Sequence, residues 1–329
     1  MKPQRIERIV QVIEMLSDGQ FHSGEALGEK LHVSRTAISQ YIKDVQALGI
    51  DVFRVTGKGY KFANELKLLD LERVTNYLRA NDENVENVHL ERVIGSTNDF
   101  IKHALNSPID SGYAVFSEAQ TEGRGRRGKR WISPFGSNLY MSMYWRLEDG
   151  MGAAMGLSLA LGTVIAELLS ELGVYDVEVK WPNDVIVDGK KVAGILIELE
   201  GQALGVAHAI IGIGINIQMP KWLGEQIDQP WTDLSTLLNN NFDRNQLAAL
   251  LLAKCRKALK LYEGKGLKPF ISRWQKFDRL ALKPVRIIMG EKELHGIAEG
   301  IDESGALLVK RDGKLERFHA GEVSLRYGA

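Results

Sequence analysis

Apolar residues recur at helical spacing from the start of the chain: Ile6, Ile9, Val10, Ile13 and Leu16, halted by Asp18-Gly19. A short second helix is predicted from about Ser23 to Leu31, with Ser23 as N-cap and Glu25 in its first turn. After Leu31-His32-Val33 a third helix opens at Ser34. Its inward face is Ile38, Tyr41, Ile42, Val45 and Leu48, and Gly49 supplies a left-handed terminus. The period then changes. DVFRV and YKF read as two strands joined by the hairpin tip Thr56-Gly57-Lys58-Gly59. Three short helices and a hairpin describe a winged helix-turn-helix over residues 1–65. The outward face of its third helix carries Arg35, Thr36, Ser39, Gln40 and Lys43, and Lys58 tips the wing. Such side chains suit base edges and phosphates, although any amphipathic three-helix bundle also has a polar face.

From residue 66 the pattern alternates. Leu68 to Leu78 looks helical, and VHLERVIG, YAVFSEAQT, NLYMSMYWRL, VEVKWPNDVIV, GILIELE and HAIIGIGINI read as strands. Helices are predicted between them at Asn98–Leu105 and over 151–173. Strands in succession with inserted helices predict a central α/β region on a mixed sheet, residues 66–275. From 276 to 329, RIIMG, HGIAEGI, LLVKR and ERFHA are short strands spaced by turns at Gly290-Glu291, Ser304-Gly305 and Asp312-Gly313. They predict a small SH3-like β-barrel, and the whole an α+β multidomain protein.

Composition narrows the function classes. Lys plus Arg number 42 and Asp plus Glu 42, so the chain is no bulk polycation. Residues 1–65 hold nine basic and eight acidic side chains, so the winged helix lacks a strong basic footprint. The single cysteine, Cys255, excludes an internal disulfide framework, a multi-cysteine zinc site and an iron–sulfur cluster. It lies in a helix-like run, where a buried structural thiol is expected. Charges at Arg5, Glu7, Arg8 and Glu14 interrupt any secretory h-region. Residues 151–166 are uncharged but too short and Gly/Ala-rich to span a bilayer, which predicts a buried core helix and no membrane partner. The chain reads as cytoplasmic.

The sharpest local feature is GRGRRGKRW at 123–131, in which Arg124, Arg126, Arg127, Lys129 and Arg130 are basic. Glycines let backbone amides and guanidiniums converge on phosphate oxygens. A solvated or nucleic-acid-binding basic loop is the alternative. The GxGxxG match is not a dinucleotide fingerprint, because Trp131-Ile132-Ser133-Pro134-Phe135-Gly136 follows instead of a helix; the GK[ST] of a P-loop is missing too. In KWPNDV (180–185), Pro182 interrupts a strand and leaves Asn183 and Asp184 at the break. KKVAGILIE (190–198) puts Lys191, a point charge for a carboxylate or phosphate, at the start of an apolar strand. GIGIN (212–216) is a glycine-punctuated strand end. Each alone fits an ordinary turn; together with the basic loop they point to a site for an anionic nucleotide.

These four segments, with Ser96-Thr97-Asn98 upstream, resemble the biotin protein ligases along essentially the whole chain. With the winged helix, the resemblance is to the bifunctional members that also repress a biotin operon. It implies that biotin and ATP, with Mg²⁺, give biotinyl-5′-AMP. The biotinyl group then passes to a lysine of the biotin carboxyl carrier protein of acetyl-CoA carboxylase. It further implies operator DNA as a partner and a homodimer in the adenylate-bound state. Carried over by position, Ser96, Thr97, Asn98, Gln120, Arg124, Gly125, Arg126 and Lys191 match the biotin pocket. Arg126, Arg127, Gly128, Trp131, Asn183, Asn216 and Trp231 match adenylate contacts. Lys191, Arg124, Arg126 and Asp184 match the catalytic set, and no metal ligands are assigned. Two alternatives stay open: a ligand-sensing DNA-binding repressor without ligase activity, and a lipoate or octanoyl ligase.

Overall fold

In the computed structural model, residues 3–63, 66–201, 205–239, 242–289, 292–319 and 324–327 are described. Helix α1 (Pro3–Leu16) buries Ile9, Val12, Ile13 and Leu16. Helix α2 (Gly24–Leu31) begins where Ser23 Oγ accepts from the Ala26 N–H at 3.0 Å, and ends at His32 in the left-handed region. Helix α3 (Arg35–Ala47) is capped likewise by Ser34, accepting from Ala37 at 3.2 Å. Gly49, at φ +90, follows it as expected. Strands β1 (Val52–Val55) and β2 (Gly59–Phe62) form the antiparallel wing.

The winged helix is not a separate globule. Its apolar cluster runs on into Val93, Ala119 and Phe135. The Phe135 N–H donates to Leu48 O at 2.8 Å, and Arg92 pairs with Glu14 at 3.4 Å. A boundary at residue 65 falls outside the described residues, as does the turn at Gly290-Glu291.

Helix α4 (Leu71–Arg79) starts at its N-cap Asp70, three residues after Lys67. Strand β3 (Val88–Ile94), helix α5 (Thr97–Ala104), strands β4 (Ala114–Gln120) and β5 (Asn138–Leu147), and helix α6 (Leu157–Glu171) follow. Then come β6 (Val177–Lys180), β7 (Asp184–Val187), β8 (Lys190–Gly201) and β9 (Ala207–Asn216). The short helices α7 (Lys221–Gly224) and α8 (Leu234–Leu238) precede α9 (Arg244–Lys265) and α10 (Lys268–Gln275). The strands make one sheet in the order β3-β4-β5-β9-β8-β7-β6, parallel only between β3 and β4. Helices α6 and α9 pack against the sheet in the largest core, whereas α5 covers Val115, Tyr144 and Ile210 in a separate cluster. Because both faces of β5 are covered, its sequence is a nearly unbroken apolar run.

The apolar run at 151–173 is a core element, as its composition predicts, but shorter than the periodicity suggests. Met151–Ala154 form a 3-10 turn, and Gly156 at φ +81 separates it from α6. Cys255 is buried in α9, and burial pushes its thiol up to about 12. Under the sheet edge a buried carboxylate gathers the linker. Glu118 accepts from the Leu69 N–H and from Arg244 at 2.9 Å, and Arg244 also donates to Lys67 O at 2.6 Å.

Beyond α10, strands β10 (Pro284–Met289), β11 (Lys292–Ile301), β12 (Leu307–Arg311), β13 (Lys314–Phe318) and β14 (Ser324–Tyr327) form an antiparallel sheet ordered β13-β12-β11-β10-β14. This is the small five-stranded antiparallel C-terminal domain expected from the sequence, its last described strand β14 pairing with its first, β10. Its apolar face belongs to the same core as the seven-stranded sheet. Docking is close at one point: the Trp181 Nε1–H donates to Gly305 O at 3.0 Å.

Candidate active site

A cavity of about 220 Å³ opens above the glycines of β8 and β9. Gly212 and Gly214 are two apart on one strand and therefore share a face, while Ile213 and Ile215 fill the core behind. Gly194 of β8 lies opposite Gly214. The three glycines leave room over the floor for the residues around it, with Leu196 beside Gly212. A Cβ on Gly214 would sit 2.6 Å from the Trp131 indole, and one on Gly212 2.5 Å from Asn98 Oδ1. Neutral polar groups therefore gather over Gly212 and the indole over Gly214.

At the polar end, Ser96, Thr97 and Asn98 open helix α5 and are buried. Gln120 Oε1 accepts from the Thr97 N–H at 2.8 Å, and its Nε2 donates to Ser133 Oγ at 3.1 Å. Ser142 Oγ lies 2.7 Å from Thr97 Oγ1 and 2.6 Å from Asn98 Oδ1. Asn98 Nδ2 donates to Glu198 at 2.6 Å. This is a mixed donor and acceptor surface, fit for a neutral ring that both gives and takes hydrogen bonds.

The other end is cationic. Lys191 Nζ stands 2.6 Å from Asp184 Oδ1 and 5.2 Å from the centre of the Trp131 ring. Asn183 is clamped between the Ile195 carbonyl, at 2.8 Å, and Arg126, which donates to its Oδ1 at 3.2 Å. Burial, with Arg127 beside it, lowers the Arg126 guanidinium from its usual value, while Asp184 counters. Gly125, Arg127 and Lys129 join this wall, and so does Lys180, a residue of the KWPND segment that the sequence left unassigned. The Trp131 indole N–H is buried with no hydrogen-bond partner among the described residues. Gly128 lies at the loop tip with open space around it.

A second cavity of about 230 Å³ adjoins the first through Trp131 and Lys191, and reaches Asn216, Met219 and Trp231. Asn216 here clips the 230–232 segment to β8, donating to Thr232 O at 3.1 Å and Lys191 O at 3.3 Å. Trp231 donates to Gly224 O at 3.0 Å, which closes the loop around α7. The fold thus brings every expected small-molecule residue except Gly128 to these two cavities.

Arg124, expected in the biotin pocket and the catalytic set, lines the first cavity with its guanidinium paired to carboxylates. It donates to Asp99 at 2.7 and 2.5 Å and approaches Glu198 at 3.3 Å. Asp99 is held below the usual carboxylate range by that hydrogen bond, and Arg124 is raised above its ordinary value. Arg126, Arg127, Lys129, Lys180 and Lys191 line the cationic end of the cavity. Asp99 follows the Ser96-Thr97-Asn98 segment and Glu198 ends KKVAGILIE, and their distance to Arg124 is what singles them out. On the winged helix, Arg35, Thr36, Gln40 and Lys43 are exposed, Ser39 is half-buried, and Lys58 lies 5.9 Å from the Phe21 ring at the wing tip.

Known proteins resemble this chain along most of its length. The bifunctional ligase/repressor BirA of Salmonella typhimurium is 47% identical over 315 residues, 96% of each chain. The chain belongs to the BirA family. Its Escherichia coli relative is 45% identical over 317 residues, 96% of this chain and 97% of that one. Residues 8–61 match the HTH domain, 90–216 the biotin/lipoate A/B protein ligase family and 283–326 the biotin protein ligase C terminal domain. The solved biotin protein ligase from Aquifex aeolicus in complex with biotin and ATP superposes at a TM-score of 0.63 with 28% identity. That match covers 74% of this chain and all of the other.

Proposed function

We propose that this chain is a biotin protein ligase and the repressor of a biotin operon, with biotinyl-5′-AMP linking the two activities. The observation that carries the reading is one continuous site with a neutral hydrogen-bonding end, a cationic centre and an adjoining second cavity. Biotin's ring fits against Thr97, Asn98, Gln120 and Ser142, and its carboxylate reaches Lys191. The carboxylate oxygen attacks the α-phosphorus of ATP, and pyrophosphate leaves as the bond to the β-phosphate side breaks. Lys191, Arg126 and Lys180 oppose the charge that accumulates. In the second step the acceptor's neutral lysine nitrogen bonds to the acyl carbon and AMP departs with its oxygen. Asp184, which lines the cavity beside Lys191, is the carboxylate to orient that amine and take its proton. The adenine takes the second cavity beside Asn216 and Trp231.

Among the described residues, no three His, Cys, Asp or Glu side chains are grouped as a metal cage, and Asp184 is already paired with Lys191. Mg²⁺ would be held mainly by the triphosphate it accompanies, and no step is assigned to it. The acceptor is the biotin carboxyl carrier protein of acetyl-CoA carboxylase, and the operator binds a homodimer through α3 and the wing. Two linked half-site contacts compensate for the weak charge of each winged helix. These partners put the protein in the cytoplasm. Residues 1–65, 66–275 and 276–329 serve as DNA-binding, catalytic and C-terminal domains in this scheme.

The test is biotin-dependent exchange of label between pyrophosphate and ATP, using purified protein. Exchange with biotin and none with lipoate is expected. Binding without exchange means a repressor that has lost its ligase, and exchange with lipoate alone means the sister activity.

A further inference from the structure

The loop at 123–131 carries five like charges and is folded against the site. Inside the loop, the Gly125 N–H donates to Lys129 O at 2.6 Å and the Trp131 N–H to Gly123 O at 2.9 Å. Those bonds shape the loop but do not attach it. Two of its attachments, Arg126 on Asn183 and Trp131 on the glycine floor, lie where ligand has to go. Arg124 is anchored differently. Its partner Asp99 does not line the cavity and stays available when the site fills.

We propose that Asp99 is a positioning residue: it latches the ligand loop shut through Arg124 and so slows the escape of the adenylate. The proposal rests on the ligase reading for the identity of the ligand, but the geometry is that of this chain. Asp99 lies in the first turn of α5, directly after Ser96, Thr97 and Asn98. The polar pocket wall and the latch therefore ride on the same helical turn, and closing the loop aligns both. Asp99 is the principal partner, because its pair with Arg124 is two-pronged at 2.7 and 2.5 Å. Glu198 stands at 3.3 Å and is shared with Asn98 and Lys102. A planar guanidinium on two carboxylate oxygens fixes direction as well as distance. It also offsets the mutual repulsion of the loop's cations before substrate phosphates arrive.

The experiment uses the full chain and the variants Asp99→Asn and Asp99→Glu. Adenylate is formed in place from labelled biotin and ATP, and its release is followed after a chase with unlabelled substrates. In parallel, ligand-free protein is exposed to trypsin and cleavage after the half-buried Arg124 and Arg126 is followed, since Arg127, Lys129 and Arg130 are exposed in the closed loop as well. Asp99→Asn should release adenylate and suffer loop cleavage about tenfold faster, while Asp99→Glu stays near wild type. Release and cleavage within twofold of wild type in a folded Asp99→Asn protein overturns the latch. Equal damage in both variants does so as well, since it marks a role in folding. Wild-type protein supplies an arm that needs no variant: raising salt from about 0.05 to about 1 M should speed loop cleavage relative to a free peptide of the same sequence. No change with salt counts against an ionic latch. A wild type that makes no adenylate overturns the ligase reading instead, and the proteolysis arms still judge the latch.

Discussion

Replacing Gly214 by alanine adds one methyl group where the indole of Trp131 rests. The new Cβ would lie 2.6 Å from two indole carbons and 2.8 Å from the ring nitrogen. Ordinary carbon contacts sit at about 3.5–4.0 Å, so the ring must retreat by roughly 1 Å. The ring also rests over Gly194, where an added Cβ would come to 3.0 Å of it. The Trp131 backbone is tied to Gly123, so the displacement passes into the basic loop and shifts Arg126 away from Lys191. A misplacement of that size costs about 10²-fold in a positioned reaction, equivalent to about 2.7 kcal/mol. Folding should be spared. Gly214 is not among the positive-φ glycines, and its ladder partners Tyr140 and Gly194 keep their bonds. Biotin-dependent ATP–pyrophosphate exchange, with thermal unfolding beside it, measures both. Gly212→Ala is the companion: its Cβ meets Asn98 Oδ1 at 2.5 Å, so it should raise the biotin KM more than it lowers kcat. Exchange within twofold of wild type for a folded Gly214→Ala protein would refute the reasoning, as would identical kinetic signatures for the two variants.

Lys191→Ala should fold and lose about 10²–10³ in adenylation rate, because it removes a preorganised charge beside the scissile centre; pyrophosphate exchange checks this. Asp278→Asn concerns stability. Burial raises the Asp278 carboxyl to about 6, against an ordinary value of about 4, so the folded state holds its proton longer than the unfolded one. Wild type should therefore lose about 1–2 kcal/mol as pH rises from about 4 to 6, and stay at that deficit above, after allowing for partial solvation. The asparagine can still accept from the Leu280 N–H, so denaturation curves of the variant should lack that fall and lie higher at pH 7. Glu118→Gln leaves Arg244 buried without its counter-charge, and urea titration should register a loss of about 3–5 kcal/mol.

Much of this protein is written locally. The winged helix follows from apolar spacing, serine caps and glycine stops, each acting within a few residues, and Ser23, Ser34 and Gly49 do what their chemistry requires. The basic loop, KWPND and GIGIN announce a site because charge, proline and glycine are conspicuous in a one-dimensional string. The alternation in GIGIN even places both glycines on one face of β9. What lies above that face is a different matter. Trp131 and Asn98 reach it from 83 and 116 residues upstream of Gly214 (214 − 131 and 214 − 98). Only the order of strands in the sheet makes them meet. The commitment of Arg124 to Asp99 and Glu198, and the merging of the winged-helix core with Phe135, are of the same kind. A lone carboxylate or phenylalanine looks alike in any surface or core, and its role depends on which distant neighbour shares its low-dielectric space. Sequence alone determined the elements, their caps and the chemical character of the loops. Tertiary structure decided which charges pair across the fold and which line the cavity, because electrostatic pairing acts through space and leaves no period in the chain.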